Sequence, residues 1–528
     1  MNRSRLYKYS GKDEELRRRR NDQSVELRKV RKEQQLLKRR NVLVDLEETS
    51  PLREQMLPLD YEKVVADLNS LDVDVVSKAA MNCRKILSKM KNPPIEELVN
   101  LGAHRTLTKL LDMDKYVTVS YFYLFSNNIV FEAAWALTNI ASGESKHTKA
   151  VVECNSVPKL IELLDHSDIR IAEQSIWALG NIAGEGPSYR DMLIKVGIVT
   201  PALRLLQRSW GNSGVVSNIA WVLSNLCRNN NPSPPRSTVL ELIPVFVRLF
   251  DYAGNEDIII DTAWAISYIT DCGDSYVEDI LQSGCIPCLV KCLDTDIPRL
   301  VSPALRSLGN LILGTDEQTQ RVLDYGLLEH VAQVLVKGKS TLVKESCWLI
   351  SNVTAGTKHQ IQMVIDAGIV PMLLKWIREG DFRVQREACW AISNIAIGGN
   401  PEQQAALLNL GIFNALSDLL KVSDAKLVGL VLEVIKKLFE TAEEHNQLEI
   451  CCVALEESEA LTHIEALQEH ENDEIYKAAY EFISKYFSGG EEEEQGTEAV
   501  PVQNQISGPS SNEFTFQPPT QSNNEFDF

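Results

Sequence analysis

Apolar residues along this chain recur with helical spacing, and the same short phrase returns again and again. WALTN begins at Trp135, WALGN at Trp177, WVLSN at Trp221, WAISY at Trp264, WLISN at Trp348 and WAISN at Trp390. The steps between them are 42, 44, 43, 84 and 42 residues, and the double step has RSLGN at its midpoint, with Arg306 in place of the tryptophan. A second ladder runs beside the first: Gly197, Gly284, Gly326, Gly368 and Gly411 each open an apolar stretch such as GIVPMLLKWI. Two helical patterns therefore alternate within a unit of about 42 residues, and no period-two alternation marks strands.

A helical unit of that length buries its apolar face only against its neighbours, as in the armadillo and HEAT classes. The expected fold is all-α: a right-handed armadillo-repeat superhelix of about ten repeats with flexible N- and C-terminal tails. The domains predicted are a basic segment and linker at 1–58, the repeat domain at 59–488 and a polar, acidic tail at 489–528. One interval breaks the period. Gly102 is answered by Asn155, 53 residues later instead of 42, and the surplus matches the eleven residues VTVSYFYLFSN at 117–127. That aromatic, strand-like segment is either an inserted loop or a translated intron. Asn155 tolerates the left-handed backbone that glycine otherwise supplies.

On a helix, positions i and i+4 share a face, so each tryptophan and its asparagine point the same way. Residue i−3 joins them, and it is acidic at Glu132, Asp261, Glu345 and Glu387. Stacked indoles form slots for the aliphatic stems of Lys or Arg, worth about 0.5 to 2 kcal/mol each through cation–π attraction. Asparagine amides can donate to a ligand carbonyl and accept from its N–H, and carboxylates at the slot ends select positive charge. The alternative is that tryptophan is core and asparagine a helix-to-helix hydrogen bonder, but five pairs in register favour a groove. One repeat is expected to span about three residues of an extended ligand, from the rise of 3.3 Å per residue. Three pairs (Trp135/Asn139, Trp177/Asn181, Trp221/Asn225) form one block and two (Trp348/Asn352, Trp390/Asn394) another. Between them the pattern degrades to Trp264/Tyr268 and Arg306/Asn310, where Arg306 is expected to repel a cationic ligand. Two basic clusters joined by about nine or ten extended residues could fill both blocks.

Charge sharpens the picture. The 528 residues carry a net charge of −19, yet residues 1–42 hold 15 Lys+Arg against 6 Asp+Glu, or +9, leaving −28 for the remainder. An acidic body argues against direct nucleic-acid binding and for a cationic partner. No apolar run suits a membrane span or a secretory signal, so a soluble, intracellular protein without membrane insertion is expected. The 11 Cys fall mostly in apolar helical phrases such as CWLISN, which suits a reducing compartment. Cys285, Cys288 and Cys292 have suggestive spacing but sit in such a helix, so no metal, no cofactor and no enzyme activity are expected. A scaffold of the adhesion or signalling kind would need a basic groove, whereas this one is lined with Glu, Asp and Trp.

These phrases, with WVLSNLCRNNNP and PALRSLGNLILGTDEQTQ, resemble the importin alpha family over nearly the whole chain. The resemblance implies a nuclear import adaptor shuttling between cytoplasm and nucleus, with a major signal site in the first block and a minor one in the second. By position it places Gly143, Thr148 and Glu185 around the main lysine pocket, where many members have Asp for Glu185, and adds Arg228 to the major site. Glu433 and Lys437 replace the pair in a later repeat, so the minor site ends at Trp390. The start, with Arg17, Arg18, Arg19, Arg20, Arg28, Lys29, Arg31 and Lys32, looks like an importin-beta-binding segment, too poor in apolar residues to fold alone. Its cluster Lys38, Arg39 and Arg40 is implied to be an internal pseudo-signal for the chain's own groove. Contact with the nuclear pore would come through importin beta, and recycling through an exportin with Ran-GTP at the C-terminal end.

Overall fold

The computed structural model describes residues 38–41, 60–88, 92–113 and 120–487. Each repeat ends in one long helix. These are α1 (Val73–Leu87), α2 (Ser120–Ala141), α3 (Ile169–Gly184), α4 (Ser213–Leu226), α5 (Glu256–Thr270), α6 (Pro298–Leu311), α7 (Ser340–Thr354), α8 (Phe382–Gly398), α9 (Ala425–Glu444) and α10 (Asp473–Tyr486). Two shorter helices precede most of them, such as Ser145–Glu153 and Ser156–Glu162 before α3, while a single helix, Arg236–Phe250, precedes α5. Among the described residues there is no strand, and no single helix is long and apolar enough to cross a membrane.

Local chemistry sets the boundaries. Most long helices start at an Asp or Asn whose side chain accepts a backbone N–H of the first turn, as at Asp72, Asp168, Asn212, Asn255, Asp381, Asp424 and Asn472. The chain turns into the middle helices through left-handed residues: Gly102 at φ 82° and, as expected of its replacement, Asn155 at φ 59°. Glutamines tie repeats together in the C-terminal half. Gln360 Nε2 donates to the Asp316 carbonyl and Gln403 Nε2 to that of Lys358, each at 2.8 Å.

The repeats fall into two compact units, with the sequence boundary between Leu289 and Val290. In the first, α1 to α5 pack consecutively, each long helix against the next. In the second, α6 to α10 do the same. Their cores are apolar, from Ile129 and Leu179 to Leu223 in one and from Leu305 and Ile350 to Phe439 in the other, all fully buried.

The surplus segment is not a strand. Residues 120–127 continue α2 toward its N-terminus as helix, making α2 22 residues long, while 117–119 lie outside the described residues. Adding a turn to an existing helix gains a hydrogen bond per residue without a new nucleus, which outweighs the mild helix penalty of aromatic residues.

Close packing between long helices relies on small residues just before the asparagine. A Cβ on Gly180 would lie 2.4 Å from the Trp221 ring and 2.6 Å from Val222, and one on Gly309 would lie 2.1 Å from the Trp348 ring. Both neighbours are large and buried, so the clash has no flexible outlet. Gly180→Ala is therefore expected to destabilise the first unit by about 1 to 3 kcal/mol, measured as a lowered urea midpoint. An unchanged midpoint would show that the indole can shift at no cost.

Candidate peptide-binding groove

The first block of pairs holds a segment of the chain itself. Residues 38–41 lie across the faces of α2, α3 and α4 that carry the tryptophans and asparagines. Asn139 and Asn181 each grip one residue in the same way. The Arg39 N–H donates to Asn181 Oδ1 at 2.8 Å, while its carbonyl accepts from Asn181 Nδ2 at 3.0 Å and Trp177 Nε1 at 2.8 Å. Two residues on, the Asn41 N–H donates to Asn139 Oδ1 at 2.8 Å, and its carbonyl accepts from Asn139 Nδ2 at 3.0 Å and Trp135 Nε1 at 3.2 Å. The seated segment runs antiparallel to the repeats.

Its step is two residues per repeat, not the three expected from rise alone. An extended chain turns the N–H and C=O of every second residue to the same edge, so identical asparagines can grip only residues an even number apart. A step of three would present the wrong edge to every other pair.

The asparagines also bridge helices. Asn181 Nδ2 donates to the Thr138 carbonyl at 2.9 Å, Asn225 Nδ2 to that of Gly180 at 3.1 Å and Asn394 Nδ2 to that of Ser351 at 2.8 Å. Grip and bridge are not alternatives: the bridge to the preceding helix fixes the amide that grips the segment.

Lys38 enters a polar socket. Its Nζ donates to the Gly143 carbonyl at 2.9 Å and to Thr148 Oγ1 at 2.7 Å, and it pairs with Glu185, which also accepts from Ser145. Burial alone would raise the Glu185 carboxyl, but the hydrogen bonds from Lys38 and Ser145 outweigh it and hold the group below its ordinary range. Thr148 itself donates to the Ala141 carbonyl and is wholly buried, so the socket is rigid. The Arg39 guanidinium lies 4.7 Å from the centre of the Trp221 ring and donates to both oxygens of Asp261, at 3.0 and 2.9 Å. Asn41 Nδ2 reaches Gln174 Oε1 at 3.2 Å.

Beyond this block, Trp264 and Tyr268 stack 5.8 Å apart, and the Arg228 guanidinium lies 5.2 Å from the Tyr268 ring. Burial pushes the Tyr268 phenol up to about 12 and lowers Arg228. Buried Arg190 fixes this end by donating to the Arg228 carbonyl at 2.6 Å and the Asn229 carbonyl at 2.9 Å.

In the second unit, Trp348/Asn352 on α7 and Trp390/Asn394 on α8 recur with Glu345 and Glu387 at i−3, and all six are nearly buried. Trp348 Nε1 and both amide atoms of Asn352 have no hydrogen-bond partner among the described residues. Arg306, read from sequence as an open repelling charge, is only 6% exposed. It lies 5.5 Å from the centre of the Trp348 ring and 3.9 Å from Glu345, so its charge is engaged inside the slot it lines, and Asn310 follows it on α6. Cationic stems prefer an aromatic face and a carboxylate to solvent when both are at hand.

Arg17, Arg18, Arg19, Arg20, Arg28, Lys29, Arg31 and Lys32 lie outside the described residues. Sequence reasoning missed Gln174, Ser145, the small residues before the asparagines and Arg84. Gln174 was visible in principle, since it stands at i−3 from Trp177.

Comparison with known proteins places this groove. The importin beta binding domain profile matches residues 3–81, the armadillo/beta-catenin-like repeat matches 144–184, 186–228, 232–271, 274–312 and 357–397, and an atypical armadillo repeat matches 449–501. Importin subunit alpha-3 of Arabidopsis thaliana is 36% identical over 511 residues, covering 93% of each chain. The chain belongs to the importin alpha family. Importin subunit alpha-1b of Oryza sativa subsp. japonica is 37% identical over 450 residues, 84% of this chain and 81% of the relative. A crystal structure of an engineered protein superposes with a TM-score of 0.69 at 26% identity, over 82% of this chain and all of that one. This importin alpha is thus a nuclear import adaptor that binds importin beta, of a family that moves between cytoplasm and nucleus, and its fold is the armadillo repeat.

Proposed function

We propose that this adaptor binds mono- and bipartite basic nuclear localisation signals in its inner groove and that its own N-terminal arm competes for the major site. The major site comprises Trp135, Asn139, Gly143, Thr148, Trp177, Asn181, Glu185, Trp221, Asn225, Arg228 and Asp261. The minor site comprises Arg306, Asn310, Glu345, Trp348, Asn352, Glu387, Trp390 and Asn394. The observation that carries this reading is the seat of Lys38 and Arg39, which are gripped through backbone atoms any peptide has and through side chains only a basic peptide has. Residues 1–58 act as the importin-beta-binding segment and linker, 59–488 as the groove, and 489–528 as the tail. An exportin with Ran-GTP recycles the protein.

Fluorescence titration of the full chain with one-cluster and two-cluster basic peptides, with and without importin beta, tests it. Importin beta is expected to raise the apparent affinity for both by withdrawing the arm, and the two-cluster peptide to bind more tightly. If importin beta leaves both affinities unchanged, the competition does not occur.

A further inference from the structure

The tryptophan ladder of the first unit begins with a residue that is not a tryptophan. In α1 the phrase RKILS puts Arg84 and Ser88 four apart, where later repeats have Trp and Asn. Both side chains turn inward onto the next repeat. The Arg84 guanidinium lies 4.5 Å from the centre of the Trp135 ring and donates to Glu132 through Nε at 2.6 Å and Nη2 at 3.1 Å. Ser88 Oγ accepts from Asn139 Nδ2 at 3.0 Å. Arg84 is only 8% and Ser88 2% exposed.

A related arrangement holds seated Arg39: its guanidinium lies over an indole, Trp221, and its Nη2 donates to both oxygens of Asp261, which stands at i−3 from Trp264 on the following long helix. It recurs in looser form at Arg306, Trp348 and Glu345. Arg84 is thus a ligand arginine supplied by the fold. With a step of two residues per repeat, the next ligand residue after Asn41 to face a gripping position would be residue 43. Its side chain would meet the Trp135 face and Glu132, which Arg84 already occupies, and no asparagine amide is there to hold its backbone.

We propose that Arg84 is a specificity-determining residue that closes the first slot of the major groove. It denies a cation at the ligand position five residues after the socket lysine (43 against 38) and so fixes the register of the basic cluster. The proposal rests on the groove reading above. In the arm of this chain position 43 is Leu43, followed by Val44 and Asp45, with no cation.

The test uses the full chain carrying Lys38→Ala, Arg39→Ala and Arg40→Ala, so that the groove is open, and a pair of basic peptides that differ only in Ala or Arg five residues after the socket lysine. With Arg84 present the two peptides should bind alike, within about twofold. Arg84→Met removes the charge and both donors to Glu132 and leaves only a flexible thioether against Trp135, and the Arg peptide should then gain at least tenfold over the Ala peptide. Arg84→Lys keeps the charge at Glu132 and should restore indifference. Arg84→Met with Glu132→Gln removes both the plug and the carboxylate, avoids a lone buried charge, and should lose most of the gain. Equal binding of the two peptides to folded Arg84→Met overturns the register proposal, as does a strong preference for Arg already present with Arg84 in place. Trp177→Ala in the same background separates the two readings: if it leaves peptide binding intact, the groove reading itself fails.

Discussion

Trp177→Ala combined with Asn181→Ala is expected to weaken binding of a one-cluster basic peptide at least a hundredfold. The pair supplies three hydrogen bonds to one ligand residue, through Trp177 Nε1, Asn181 Nδ2 and Asn181 Oδ1. At about 1 kcal/mol net for each, plus the indole surface, about 3 to 4 kcal/mol is lost, which corresponds to a factor of about 100 to 1,000. The measurement belongs in a background with Lys38, Arg39 and Arg40 replaced by alanine. Otherwise the same substitutions would loosen the competing arm and mask the loss. Asn181 also bridges to the Thr138 carbonyl, so a urea titration must accompany the binding curve. Trp177→Phe keeps most of the ring and removes only the Nε1 donor, so it should cost about three- to tenfold without loss of stability. Undiminished peptide binding by the folded double variant would remove the groove from consideration.

The tryptophans and asparagines that hold residues 38–41 were legible in the sequence because their spacing is imposed by the fold. A tryptophan and asparagine four apart share a face whatever the neighbouring sequence, and their recurrence every 42 to 44 residues follows from one helix per repeat facing inward. What the spacing could not convey was how the asparagine divides its hydrogen bonds. The two amide hydrogens of Asn181 go to different places, one to the Thr138 carbonyl of the helix before and one to the Arg39 carbonyl of the seated segment, so the same side chain serves packing and grip together. Nor did the rise of an extended chain determine the ligand step, because edge parity overrides length.

Other parts were hidden for reasons of context. Arg84 and Ser88 share no letter with WxxxN, and only the register of the helix, not its composition, shows that they stand in the ladder. Gly180 and Gly309 lie inside helices, where glycine is locally unfavourable by about 1 kcal/mol, and only the neighbouring indoles explain them. The eleven-residue surplus looked strand-like because aromatic and β-branched residues favour strands. From Ser120 onward it extends a helix that the downstream sequence already nucleates.

Replacing Lys38, Arg39 and Arg40 by alanine is expected to raise the apparent affinity of the full chain for a basic peptide, in the absence of importin beta, by a factor of tens to hundreds. The arm is covalently tethered to its own groove, so it competes at an effective concentration of order mM. If the arm cluster alone bound with a dissociation constant of about 10 μM, it would occupy the groove about a hundredfold over the empty state. Lys38 should carry the largest share. Its three ammonium hydrogens meet the Gly143 carbonyl, Thr148 and Glu185, which matches the donor geometry of an ammonium. Lys38→Arg therefore does not conserve the seat: a planar fork cannot point at three acceptors arranged around one atom, and partial release is expected. Arg39 contributes the bidentate contact to Asp261, whose side chain is 3% exposed, so this ion pair is screened less by salt than a surface pair. Importin beta separates competition from a general effect of charge. Once it holds the arm, the wild type and the triple variant should bind the peptide equally, because the only difference between them is no longer in the groove. A triple variant that binds no more tightly than the wild type without importin beta would mean that the seated segment is not a competitor.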